Sequence, residues 1–374
     1  MVNSATLAPA QKAPSDKDAK TVLTVPFVRS AVEHVEPFMD ISTLISGNTV
    51  ALQPADVPAY GFLRGIFIEV TASGGTGAAA VYKADAPFTA ITDVQLADVN
   101  GAPIVGPFDG YDLFVINKYG GYRRPGQNPK LQPDYTVPTT GNFSFLTYLP
   151  VEVNGRDGLG ALANTNAASS YKFRCSIALK GNVFSIDPTG LPTIRVRAWL
   201  DAWSQPAPTD LQGRPQQQEP PAHGTTSYWS KQVFAIVSGQ NTIRTTRVGN
   251  LIRNLIFINR DGSNVRNKTN FPASFQTYWD TRLLKDYSPI VWRGQMAQRF
   301  GLSAADDAAA GLDTGVYVDD YCHEFDGRAG YEMRDGWLPT IPATRLEWQG
   351  QFGAVGALTV LTNDVSPIGE GVFV

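Results

Sequence analysis

Apolar and polar residues alternate along much of the chain with a period of two. In Ile194-Arg195-Val196-Arg197-Ala198-Trp199-Leu200, the set Ile194, Val196, Ala198 and Leu200 falls on one side, and Arg195 and Arg197 on the other. Tyr171 to Ile177 repeats the pattern, with Tyr171, Phe173, Cys175 and Ile177 on one face. Arg345 to Phe352 alternates again, and Leu358 to Thr362 forms a last extended run. Successive side chains of a strand point to opposite faces, so this period predicts half-buried strands in antiparallel sheets.

Other runs are apolar almost throughout. Leu63-Arg64-Gly65-Ile66-Phe67-Ile68-Glu69-Val70 is rich in β-branched and aromatic residues and closes on a loop ending in Gly74-Gly75, as a core strand should. An echo follows as Ile252-Arg253-Asn254-Leu255-Ile256-Phe257-Ile258-Asn259, closed by Arg260-Asp261-Gly262-Ser263. Phe67 and Phe257 stand 190 residues apart, which suggests a β-domain built twice. Asn100-Gly101 between Ile91–Leu96 and Ala102–Val105 is a strong hairpin signal. Thr21–Val28 and Glu33–Phe38 read as extended, with Pro26 and Pro37 marking edges or bulges. The best helix candidate is Ser274–Tyr287, where Phe275, Tyr278, Trp279 and Leu283 share a face behind a capping Ser274. Ser303–Ala310 is a candidate helical turn.

Gln205 to Thr226 interrupts these patterns with Pro206, Pro208, Pro215, three glutamines from Gln216 and Pro220-Pro221. It reads as a linker. The expected organisation is therefore a flexible arm over residues 1–20, a first β-unit over 21–204, the linker over 205–226, and a second β-unit over 227–374. Each half holds about eight candidate strands and little helix, which favours an all-β chain of two consecutive eight-stranded antiparallel jelly-roll sandwiches.

Composition changes this picture little. The 374 residues are 43% hydrophobic and 17% charged, a globular balance. The 35 Gly and 26 Pro are scattered, as many turns require. A net charge of −3 offers no basic field, so no specific nucleic-acid partner is expected. Two cysteines, Cys175 and Cys322, cannot form a disulfide framework or a zinc cluster. Residues 1–20 carry Lys12, Lys17 and Lys20 but no apolar core, unlike a secretory signal, so synthesis in the cytoplasm is expected.

Candidate chemistry is sparse, and no cofactor or catalytic residue is expected. The stretch Asp319-Asp320-Tyr321-Cys322-His323-Glu324-Phe325-Asp326 gathers carboxylates, an imidazole and a thiol. Asp319, Asp320, His323, Glu324 and Asp326 are weak metal candidates, since no calcium-loop spacing is present and neighbours on a strand diverge; a solvated acidic loop is the favoured reading. Trp199 and Trp203 fall opposite the core set of their strand, beside Arg195 and Arg197, where they could stack on sugars or fill a subunit interface; the interface is favoured.

With two jelly-roll-like halves, a Pro/Gln linker, an N-terminal arm and no catalytic constellation, the chain resembles the double jelly-roll major capsid proteins of tailless, internal-membrane icosahedral phages of the tectivirus type. The residues that carry this are the paired strands Leu63–Val70 and Ile252–Asn259, the segment Ile91–Ile104 with its Asn100-Gly101 turn, and Tyr148–Val153 leading into Asn154-Gly155-Arg156-Asp157-Gly158. The resemblance implies a homotrimer of pseudo-hexagonal outline that meets neighbouring capsomers and other virion proteins (penton, minor or membrane proteins) in a shell over a membrane. Lys12, Lys17 and Lys20 would then sit on an inward arm, where each cation near anionic headgroups gains about 1 kcal/mol. Rival readings are a virion spike or penton, a lectin-like carbohydrate-binding protein, and a two-jelly-roll glycan hydrolase.

Overall fold

A computed structural model describes residues 27–77, 79–120, 130, 132–153, 155, 158–220, 227–309, 311–321 and 336–366. Among the described residues, sixteen of the strands form two jelly rolls in chain order. The first contains β1 (Glu33–Leu44), β2 (Val50–Ala51), β3 (Phe62–Ser73), β4 (Ile91–Ala97), β5 (Pro103–Phe108), β6 (Phe143–Pro150), β7 (Lys172–Ile177) and β8 (Thr193–Trp203). The second contains β9 (Ser227–Ile236), β10 (Gly239–Thr245), β11 (Leu251–Asp261), β12 (Phe275–Trp279), β13 (Arg282–Tyr287), β14 (Val316–Asp320), β15 (Leu346–Phe352) and β16 (Gly356–Val365). Sheet order is β1-β8-β3-β6 against β2-β7-β4-β5 in the first roll, and β9-β16-β11-β14 against β10-β15-β12-β13 in the second. The two orders are the same once eight is subtracted from the second, and all these pairings are antiparallel. This is the double jelly roll that the period-two pattern predicts.

Each roll also carries a helix between its fifth and sixth strands: α1 (Gly110–Tyr119) and α2 (Pro289–Phe300). Neither is where the sequence pattern placed a helix. Ser274–Tyr287 is instead the hairpin β12–β13. Its aromatic and β-branched residues fit a pleated surface, with Phe275 and Thr277 buried. Asp280 takes the left-handed turn position at φ 53°, and its carboxylate accepts from the Thr344 and Arg345 amides at 2.9 and 3.0 Å. Phe27–Ser30 is a helical turn rather than the tail of an extended segment. At Ser303 the chain closes one hydrogen-bonded turn, the Asp307 amide donating to the Ser303 carbonyl at 3.2 Å.

The echoed runs occupy the third strand of their rolls, β3 and β11, but not the same register. Phe67 is half-buried and lies 4.8 Å from the Tyr148 ring, whereas Ile66, Ile68 and Val70 fill the interior. Phe257 points inward and meets Phe275 and Trp348 at 5.4 and 5.2 Å. The likeness is between elements, with the faces of the two phenylalanines exchanged. Strand β11 is buried over nine consecutive residues, Leu251–Asn259, because both of its faces are covered. One hydrophobic cluster runs through both rolls, from Met39 to Leu361.

Candidate functional site

The joint between the rolls is built around α1. Asp109 caps the helix, and its own amide donates to Asp112 Oδ2 at 3.1 Å, a reciprocal arrangement that satisfies the first free amides. Lys231 of β9 reaches both carboxylates, at 2.8 Å from Asp109 and 2.6 Å from Asp112. Burial raises the Asp112 carboxyl above its ordinary value, against the pull of Lys231. Asp85 sits between two second-roll cations, 2.6 Å from each of Arg260 and Arg266, and both guanidinium groups lie over the Tyr111 ring. Tyr111 donates to the Leu312 carbonyl at 2.6 Å. At the far end of α1, Lys118 and Tyr119 meet Asp313 at 2.7 and 2.8 Å, and Arg253 donates to the Gly120 carbonyl at 2.8 Å.

The part of this joint at the first turn of α1 borders a cleft of about 720 Å³ between the rolls, lined by Asp85, Asp109, Asp112, Lys231 and Arg260 among others. Each of its three carboxylates faces a cation. The arrangement locks two rolls into one body. A buried ion pair is costly to break, because the surviving charge is stranded away from water.

The sequence-predicted interface residues divide. Arg195, Arg197 and Trp199 share the outer face of the β1-β8-β3-β6 sheet. Trp199 lies opposite Phe67 of β3 and Pro37 of β1, and Tyr148 of β6 lies opposite Phe67, giving one row of apolar and aromatic side chains across four strands. Arg197 is 5.1 Å above the Trp199 ring and pairs with Glu69; Arg195 donates to Asp40 at 2.7 Å and holds that carboxyl below its ordinary value. Trp203 is not part of this surface. Its period puts it on the same face, but Phe27 covers it edge-on at 6.5 Å, Arg64 stacks at 4.1 Å and its Nε1 donates to Glu152 at 2.7 Å. An exposed reading of Trp203 fails because the chain's own N-terminal turn packs there.

The acidic stretch is not a solvated loop where it is described. Asp319 and Asp320 end β14 with their carboxylates buried: Asp319 pairs with Lys285 and accepts from Tyr321 at 3.0 Å, and Asp320 pairs with Arg299. His323, Glu324 and Asp326 lie outside the described residues, as do Lys12, Lys17 and Lys20. Among the described residues no group of three or more His, Cys, Asp or Glu is placed to hold a metal. Cys175 is a buried free thiol, pushed up to about 12 by burial.

The junction residues Asp85, Asp109, Asp112, Lys231, Arg266 and Asp313 went unread in the sequence. A local signal existed for α1: Asp109 and Asp112 before Leu113-Phe114-Val115-Ile116 have capping-box spacing. Nothing local could pair Asp85 with Arg266, 181 residues away.

No family model matches this chain, and no curated protein matches it. Solved structures do. The STIV MCP superposes with a TM-score of 0.62 at 12% identity, covering 90% of this chain and 98% of that one. The PBCV-1 virus capsid model gives 0.57 at 12%, covering 90% and 93%. The major capsid protein P2 of bacteriophage PM2 gives 0.53 at 10%, covering 89% and 97%. Over nearly its whole described length, the chain has the double jelly-roll fold of these viral capsid proteins.

Proposed function

We propose that this chain is a structural protein of a virion, the major capsid protein of an icosahedral shell, and that it acts as a homotrimeric capsomer of pseudo-hexagonal outline. The observation that carries this reading is the joint around α1. Two rolls with the same strand order are locked side by side into one body by paired charges, and the whole body, not one roll, has the fold of the capsid proteins. A shell subunit needs such stiffness, because weak contacts repeated by symmetry add up only if each subunit holds its shape.

In this reading residues 1–20 form an inward arm whose Lys12, Lys17 and Lys20 can meet an anionic membrane, residues 205–226 connect the rolls, and neighbouring capsomers and other virion proteins are the partners. Arg195, Arg197 and Trp199 belong to an assembly surface. No catalytic role is assigned. Light scattering on purified protein tests the reading: three chains of 40.5 kDa make a species of about 120 kDa, stable to dilution, or larger closed shells. A species of one chain at every concentration overturns it.

A further inference from the structure

Lysine is almost never fully buried unless it is paired. Lys118, in the last turn of α1, is such a case. Its side chain is 4% exposed, and its Nζ lies 2.7 Å from Oδ2 of Asp313, whose side chain is wholly buried. The two residues are 195 positions apart and belong to different rolls. Around them stand Tyr111, Tyr119, Phe300 and Leu312, all buried, with the Tyr119 and Phe300 rings edge-on at 5.2 Å. A third charge completes the group: Asp306 Oδ2 is 3.8 Å from Lys118 Nζ.

The fold of its loop places this second carboxylate. The Asp313 amide donates to the Asp306 carbonyl at 3.1 Å, and Gly311 lets that carbonyl approach, since a Cβ there would strike it. Ser303 holds the carboxylate itself, donating from Oγ to Asp306 Oδ2 at 2.8 Å. On the other side of Asp313, the Tyr119 hydroxyl donates to Oδ1 at 2.8 Å. Burial raises the Asp313 carboxyl above its ordinary value against the pull of Lys118, and the charge of Asp306 adds to the rise. An amine, a carboxyl displaced toward its acid form and a carboxylate able to move a proton are thus held together away from water.

We propose that Lys118 and Asp313 join in an amide bond, made by the folded chain on itself, which ties the two rolls covalently. One proton first passes along the 2.7 Å hydrogen bond from Nζ to Oδ2, turning a buried ion pair into a neutral amine and a neutral acid. The amine lone pair then attacks Cγ of Asp313. The charge that develops on Oδ1 is met by the Tyr119 hydroxyl. Asp306 takes the second proton from Nζ and delivers it to Oδ2. The Cγ–Oδ2 bond breaks and one water leaves. No electron donor or acceptor is needed, and Asp306 ends as it began. Holding the two groups in contact supplies the high effective concentration that such a condensation requires. The other lysine at α1, Lys231, lacks the dry setting: it lies between Asp109 and Asp112 on the cleft, with the Asp109 carboxylate 48% exposed, and stays in its ion pair. The bond forms within one chain, so it is independent of how copies assemble.

Mass spectrometry of the whole purified chain, unfolded before injection, reads the bond. Wild type is expected about 18 Da below the mass of its sequence, one water lost, and a protease digest should contain a branched peptide joining the Lys118 and Asp313 segments. Lys118→Arg keeps a cation beside Asp313 but has no primary amine. Asp306→Asn keeps the size of the side chain but accepts no proton. Both are expected at full sequence mass, with near-UV circular dichroism to show that they fold. Wild type at full mass with the two segments unlinked overturns the proposal. So does loss of a water without the branched peptide, as ring closure at Asp109-Gly110 or Asp261-Gly262 would give. A branched peptide in folded Asp306→Asn overturns the proton route through Asp306. The wild-type digest decides for or against the bond even if neither variant folds.

Discussion

Gly65 shows how much one missing side chain can decide. A Cβ there would lie 2.3 Å from Tyr148 Oη and 2.7 Å from the Leu149 carbonyl. The glycine lets Tyr148 lie across β3 and donate to Asp201 at 3.0 Å. Gly65→Ala should therefore displace the tyrosine and cost about 2 kcal/mol, read as a lower urea midpoint at unchanged slope. Arg266 makes a stronger case. Its side chain is buried, bonds Asp85 at 2.6 Å and donates to carbonyls of both rolls, those of Ala84, Gly311 and Thr314. Arg266→Met should cost about 3 kcal/mol by removing one of the two cations that hold Asp85; a loss below about 0.5 kcal/mol in the same titration contradicts the account.

Glu152 carries the pH dependence at this scale. Burial is the largest influence on it and raises its carboxyl above the ordinary value of 4.5, despite Arg64 at 2.8 Å and the Trp203 hydrogen bond. A carboxyl raised in the folded state contributes stability below its unfolded value and loses it as pH rises through the folded one. Glu152→Gln cannot ionise. The variant should match wild type below pH 4.5 and gain on it as pH climbs toward neutrality, measured as the difference in urea midpoints. A difference that shrinks with rising pH would reverse the sign and refute the burial argument.

At the scale of elements, α2 carries start and stop signals that the sequence reading passed over. Ser288 caps it, Pro289 opens it, and Gly301 ends it at φ 66° with its amide on the Ala297 carbonyl. Serine before proline and glycine after the last turn are ordinary start and stop signals. Ser288→Ala and Gly301→Ala should each cost about 1 kcal/mol in thermal unfolding, the first through a lost cap and the second through the left-handed backbone. The stretch just before it, Ser274–Tyr287, misled for a physical reason. Phe275, Tyr278, Trp279 and Leu283 fit helical spacing as well as two short strands, and only pairing of β12 with β15 settles the choice. Helix α1 hid for another. A helix buried all round has no polar stripe, so Leu113-Phe114-Val115-Ile116 reads as a strand.

At the scale of the molecule, the rolls should not unfold separately. Their interiors form one hydrophobic cluster, and the joint is closed by Lys231, Arg253, Arg260, Arg266 and Asp313. Calorimetry should record a single transition with equal calorimetric and van't Hoff enthalpies. Two resolved transitions would mean that the paired charges of the joint add little to the body they connect.

What the sequence determined by itself was local. Period-two alternation in β7, β8 and β15, the apolar runs of β3 and β11 and the Asn100-Gly101 turn specify strands, their faces and a β-fold repeated twice, because each follows from residues within one element. The tertiary structure alone decided which faces are covered. It buried Trp203 under Phe27, buried β11 on both sides, turned Asp319 and Asp320 from loop acids into paired strand residues, and left Trp199 half-buried on the outer face of its sheet. Cover is set by partners often more than a hundred residues distant, and periodicity within a segment carries no record of what packs against it.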